Sequence, residues 1–146
     1  MASTPSDFME RLAAVTRLMA LRFEMHAQEL GLSMARARLL VRLGREDGQT
    51  QTQLAQCLGI AGSSVVALVD GLEKAGFAER RADDSDRRTR RVFLTDLARE
   101  RAADLERFLA ATQADLLKNV PTGDLAAANA VLVRLLANLD HGSKDD

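Results

Sequence analysis

Helical spacing of aliphatic residues along most of a 146-residue chain, one arginine-rich segment with a polar turn, and a near-absence of aromatic residues predict a mainly α-helical fold carrying one small β-hairpin. Hydrophobic residues make up 47%, enough for a core, and with aromatics at 3% that core must be aliphatic. The length suits one domain or one intertwined protomer. A single cysteine, Cys57, excludes an internal disulfide framework and fits a reducing compartment, so a cytoplasmic location is expected. No signal-like N-terminus and no uninterrupted apolar run of about 18 residues occur, so no membrane partner is expected. The net charge is −1, so any nucleic-acid surface must come from local clustering. Seventeen of the 20 basic residues are Arg, whose planar fork grips phosphate and base edges better than Lys does.

The first helix is predicted from about Ser6 to Gly31. Phe8, Leu12, Val15, Met19 and Phe23 recur at helical spacing, and Leu18, Leu21 and Met25 widen the stripe beyond what one packed side needs. Such a helix is expected to face the body on one side and a partner on the other. Ser33 can cap a second helix running to about Arg45, with Leu39, Leu40 and Leu43 inward. Thr50 and Gln53 form a capping box that opens a short helix, with Leu54, Ala55 and Leu58 inward. Gly59 permits the tight turn that a helix-turn-helix needs, and the next helix runs from about Gly62 to Ala75 before a stop at Gly76. Val65, Leu68, Val69 and Leu72 are its inner face.

Ala78–Ala82 and Thr89–Leu94 read as two short strands around a polar turn of aspartates and Ser85. Six arginines fall between Arg80 and Arg91. A hairpin of this kind after a helix-turn-helix points to a winged DNA-binding unit. Thr95 then caps a helix to about Lys118, roughly 35 Å long at 1.5 Å per residue, longer than so small a domain needs for its own core. Leu97, Leu105, Phe108, Leu109, Thr112 and Leu116 are its expected packed side. Pro121 breaks it. The last helix starts at Thr122 and is apolar almost all round, through Leu125, Val131, Leu132, Val133, Leu135, Leu136 and Leu139. A small protomer buries such a helix most easily by dimerising.

This order of elements resembles the MarR family of bacterial transcription regulators over essentially the whole chain. Asp86-x-Arg88 followed by Leu94-Thr95 looks like the family's wing signature. Thr50-x-x-x-Leu54-Ala55-x-x-Leu58-Gly59-Ile60 looks like its first helix-turn-helix half, and Leu68-Val69-Asp70-x-Leu72-Glu73-x-x-Gly76 like the end of its recognition helix. The resemblance implies a homodimer, with residues 6–31 and 96–140 as a helical dimerisation region and 33–95 as the winged helix-turn-helix. It implies a repressor that binds a palindromic operator in double-stranded DNA, recognition helix in the major groove and wing near the minor groove. It also implies release by a small phenolic or carboxylate ligand, or by thiol oxidation. One departure concerns the recognition helix. Where the family often has polar or basic residues, this chain has Val66 and Ala67, which leaves Ser63 and Ser64 as its polar readers.

The candidate DNA contacts are therefore Thr52, Gln53, Gly62, Ser63, Ser64, Val66 and Ala67 in the helices, with Arg80, Arg87, Arg88 and Arg90 in the wing. Alternate strand residues face opposite sides, so Arg90 and Arg91 are not expected to reach DNA together. Arg88 is the leading wing contact, with Asp70 or Asp86 as its brace. A second candidate site comprises Met19, Arg22, Phe23, His26, Arg36 and Arg38, where an Arg fork over an apolar wall suits a carboxylate; the same arginines are equally suited to bridging protomers or facing solvent. Cys57 is read as structural. His26 and His141 stand far apart and no Cys/His cluster has zinc spacing, so no metal or other cofactor is expected. No phosphate-cradling glycine loop or Ser/His/Asp pattern suggests an enzyme. The alternative function is a protein-interaction module, a winged dimer without sequence-specific DNA binding.

Overall fold

A computed structural model of the chain describes residues 4–142, in the order α1(Pro5–Glu29), α2(Met34–Arg45), β1(Gln49–Thr50), α3(Gln51–Leu58), α4(Gly62–Lys74), β2(Ala78–Ala82), β3(Arg90–Leu94), α5(Asp96–Leu116) and α6(Thr122–Gly142). Two compact units divide between Ala110 and Ala111. The first holds α1 to most of α5, including the sheet. The second holds the end of α5 and α6.

Local chemistry sets the helix boundaries. Thr4 and Asp7 form a capping box that starts α1 one residue earlier than expected, with Pro5 in its first turn. Ser33 accepts the Arg36 N–H at the start of α2, and Thr50 and Gln53 bond reciprocally at the start of α3. Gly59, at φ +65°, ends α3 in the left-handed conformation that lets α4 turn back so soon.

The sheet is three-stranded, in the order β1-β3-β2 and antiparallel throughout, rather than a bare hairpin. Gln49 pairs with Val92, and Ala78 with Leu94. Two residues are too few to display alternation, and Thr50 also serves as a helix cap, so β1 leaves no strand pattern in the sequence.

The core is aliphatic. Leu39, Leu40 and Leu43 of α2, Leu54 of α3, Val65, Val69 and Leu72 of α4, Val92 of β3 and Leu105 of α5 are fully buried. Each such side chain contributes roughly 1.5–3 kcal/mol by leaving water. Helix α5 departs from expectation, since Leu97 and Leu116 are exposed and the buried stripe is Ala98, Ala102 and Leu105. Small side chains let α5 approach α2 closely: a Cβ at Gly44 would stand 3.0 Å from that of Ala102. In α1 only Phe23 and Ala27 are buried, while Phe8, Val15, Leu18, Met19, Leu21 and Met25 stay exposed. In α6, Leu125, Val131, Leu132, Val133, Leu136 and Leu139 are exposed in the single chain.

Gly48 joins α2 to β1 at φ +71°, and a Cβ there would lie 2.7 Å from the Phe93 ring. Gly48→Ala is expected to cost about 1–3 kcal/mol, from the left-handed backbone and the displaced ring together. An unchanged thermal midpoint would show that the ring gives way freely.

Candidate nucleic-acid interface

The outer side of the helix-turn-helix is assembled from short exposed stretches. On α3, Thr52 and Gln53 are exposed just after the cap. On α4, Gly62, Ser63, Ser64, Val66 and Ala67 are exposed, whereas Val65 and Val69 point into the core. Ala61 offers no side-chain cap to α4, so the first N–H groups of this helix have no side-chain acceptor, and the positive end of its dipole is open to an anion. Asp70 continues the same exposed row, one turn after Val66.

The wing sorts its arginines by partner. Arg91 turns back to the wing's base, where Nε pairs with Asp83 and Nη1 donates to the Gly48 carbonyl at 3.0 Å. Arg81 pairs with Glu79 and lies over the Phe93 ring, 4.4 Å from its centroid. Arg80, read from sequence as a DNA contact, spends its guanidinium inside the chain. Nε donates to Gln51 at 2.9 Å, Nη1 pairs with Glu73, and Nη2 meets Asp70 at 2.8 Å and the Val66 carbonyl at 3.3 Å.

Arg87, Arg88 and Arg90 remain. All three are exposed, and among the described residues none has a side-chain acceptor. The Asp86 carboxylate shapes their turn by accepting the Arg88 N–H at 3.0 Å and the Thr89 hydroxyl at 3.0 Å. Asp86 therefore acts on the Arg88 backbone, while Asp70 is engaged by Arg80 and does not brace Arg88. The unmatched cations sit at the tip, and the matched ones anchor it.

The second candidate site separates into parts. Met19, Phe23 and Arg38 do line one cavity, of about 500 Å³, together with Val41 and Leu109. Arg42 and Arg45 also border it but are engaged by Glu46 and Glu106. Arg38 is exposed, with no acidic partner among the described residues. Cys57, expected to be structural, is an exposed thiol on the cavity wall. His26 is elsewhere, stacked on Phe108 with ring centroids 4.2 Å apart and Nδ1 3.3 Å from Glu29. Arg36 lies across α4 instead, its guanidinium where a Cβ of Gly71 would be. Arg22 is exposed and is not part of the cavity lining. Sequence spacing placed these side chains on the correct helices but could not choose their direction.

A three-stranded wing behind two helices joined by a left-handed glycine defines a winged helix-turn-helix regulator, not a catalytic centre. Residues 30–89 match the MarR family. The crystal structure of transcriptional regulator PA3341 is 36% identical, covers 92% of this chain and 98% of its own, and superposes with a TM-score of 0.82. A MarR-family regulator from Silicibacter pomeroyi is 25% identical over 91% of this chain and 90% of its own, with a TM-score of 0.76. FabT of Streptococcus pneumoniae, solved in complex with DNA, shares the fold at 19% identity, covering 94% and 99%, with a TM-score of 0.84. The chain belongs to the MarR family of transcription regulators.

The ion pair at the wing's base carries a pH signature. Asp83 accepts the Ser85 hydroxyl at 2.7 Å and the Ser85 N–H at 2.8 Å, and it pairs with Arg91. Ser85 first, then Arg91, holds this carboxyl well below the usual carboxylate range. Its ionised form therefore stabilises the fold. That contribution is complete above about pH 4, where the unfolded carboxyl is also ionised, and fades as pH falls further. Asp83→Asn should lower stability to urea at pH 7, and the gap from wild type should narrow below about pH 4. A gap that stays constant down to pH 2 would contradict it.

Proposed function

We propose that the protein is a homodimeric repressor that binds a palindromic operator in double-stranded DNA and is released by a small carboxylate or phenolic ligand. The carrying observation is the free arginine trio at the wing tip, beside an exposed, uncapped recognition helix. The wing cations supply backbone affinity. Ser63 and Ser64, with the methyl groups of Val66 and Ala67, supply base-edge contacts, polar ones to either base type and apolar ones to thymine methyls.

The proposed dimer region spans 6–31 and 96–140, supported by the exposed apolar side chains of α1 and of α6. Two recognition helices held about 34–36 Å apart would meet successive major grooves. The effector reading rests on the cavity. Met19, Phe23 and Leu109 provide an apolar wall, and unpaired Arg38 provides a fork for a carboxylate. Arg38 also borders Leu68 of α4 in a small neighbouring pocket. A ligand that draws Arg38 into the cavity thus acts next to the recognition helix and favours a spacing unsuited to DNA.

Arg88→Ala should weaken binding to DNA selected from a random pool and reduce the salt slope of log K by about 0.9, while sedimentation still reports a dimer. An unchanged affinity and slope would remove Arg88 from the contact set. In a thermal-shift panel of aromatic acids, a stabilising compound should lose its effect on Arg38→Ala. Stabilisation that survives that change would place the ligand elsewhere.

A further inference from the structure

The recognition helix carries an acid where DNA binding needs none. Ser63, Val66, Ala67 and Asp70 fall at i, i+3, i+4 and i+7, so they share one exposed row. The Asp70 side chain is 52% exposed, and Glu73 follows one turn behind Val69 and Asp70 at 33%. Left alone, both carboxylates would repel a phosphate backbone. Neither is alone. Arg80 reaches across from β2, is itself only 19% exposed, and pairs with both.

The same side chain holds three elements together. Its Nε is on Gln51, the first residue of α3. Its Nη2 is on the Val66 carbonyl, midway along α4. Its own backbone N–H donates to Glu73 at 2.9 Å, which ties the β2 strand to the C-terminal half of α4. Every guanidinium nitrogen has an acceptor within the chain, so Arg80 has no fork left for a phosphate or a guanine edge.

We propose that Arg80 is a positioning residue for DNA recognition: it fixes α4 against α3 and the wing and masks the charge of Asp70, and it does not itself touch DNA. This rests on the reading that the exposed row of α4 meets DNA. Its failure can be told from the failure of that reading, because wild-type protein that shows no preference for selected DNA fails before any variant is compared.

The test is a double-mutant cycle on the full-length protein, using double-stranded DNA selected from a random pool and read by fluorescence anisotropy at fixed salt. Arg80→Ala unmasks Asp70 and should weaken binding about tenfold, the size of one lost base-pair preference. Asp70→Asn in the wild-type background should change affinity less than about twofold, because that charge is already neutralised. The double variant Arg80→Ala/Asp70→Asn should recover most of the loss. If Arg80 instead contacts DNA, the two changes add, and Asp70→Asn, by freeing the guanidinium, raises affinity on its own. That result overturns the proposal, as does a tenfold loss in Asp70→Asn alone, which would make Asp70 the contact. A salt series separates the cases again, since a lost phosphate contact lowers the slope by about 0.9 whereas lost positioning leaves it in place. Should Arg80→Ala fail to fold, Asp70→Asn still decides, through a gain or loss of more than about fivefold against the predicted silence.

Discussion

The wing is held at its root by two residues, Asp47 and Gly48. The Asp47 carboxylate accepts the N–H groups of Gly48 and Leu94, at 3.1 and 3.0 Å, and the Arg99 guanidinium at 2.7 Å. One side chain thereby joins the end of α2, the last residue of β3 and the first turn of α5. Gly48 adds two further ties. Its carbonyl takes Arg91, and its missing side chain admits the Phe93 ring. The neighbouring Gln49 is buried and donates to the Glu46 carbonyl at 2.7 Å, which closes the same turn. Without this root, a five-residue hairpin would rest on little but its own ladder, and an isolated two-stranded ribbon is marginal in water.

From this anchoring follows the division of labour among the arginines. A compact region with a local excess of one charge must either neutralise it or leave it to solvent and ligand. Arg80, Arg81, Arg91 and Arg99 are neutralised by Asp70, Glu73, Glu79, Asp83 and Asp47, and each such pair lies toward the base of the wing or along α4. Arg87, Arg88 and Arg90 are left without acidic partners at the tip. An overall charge of −1 is thus compatible with an anion-binding edge, because the acids are spent where arginines do structural work. The arginine-poor outer row of α4 fits the same pattern: the helix offers hydroxyls and methyls, and the wing offers charge.

Much of this architecture was legible in the residues. The Thr50–Gln53 capping box, Ser33, Gly59 and Gly76 are local signals, and each acts within a few residues of where it is written. The aliphatic inner faces of α2 and α4 were equally plain, since Leu and Val recur at the helical period. The Thr4–Asp7 box carried the same signature but was overlooked beside Pro5. What could not be read depends on distant partners. Whether Arg80 faces Asp70 or the solvent is settled by the packing of β2 against α4, and whether Arg36 enters the cavity or lies over Gly71 is settled by α2 against α4. The packed side of α5 was misjudged because its contacts are alanines, which carry little weight in any hydrophobic count. Strand β1 left no trace because two residues cannot show a period.

The central claim is that an exposed row of small side chains on α4 and three unpaired wing arginines together read a particular DNA sequence. The most direct measurement compares affinity for duplex selected from a random pool with affinity for a scrambled duplex of equal length, at several salt concentrations. The account predicts a specificity ratio of about 10³ or more at physiological salt, with both affinities falling as salt rises. A ratio near one at every salt concentration would contradict it, leaving a basic-tipped winged module that binds DNA only through charge.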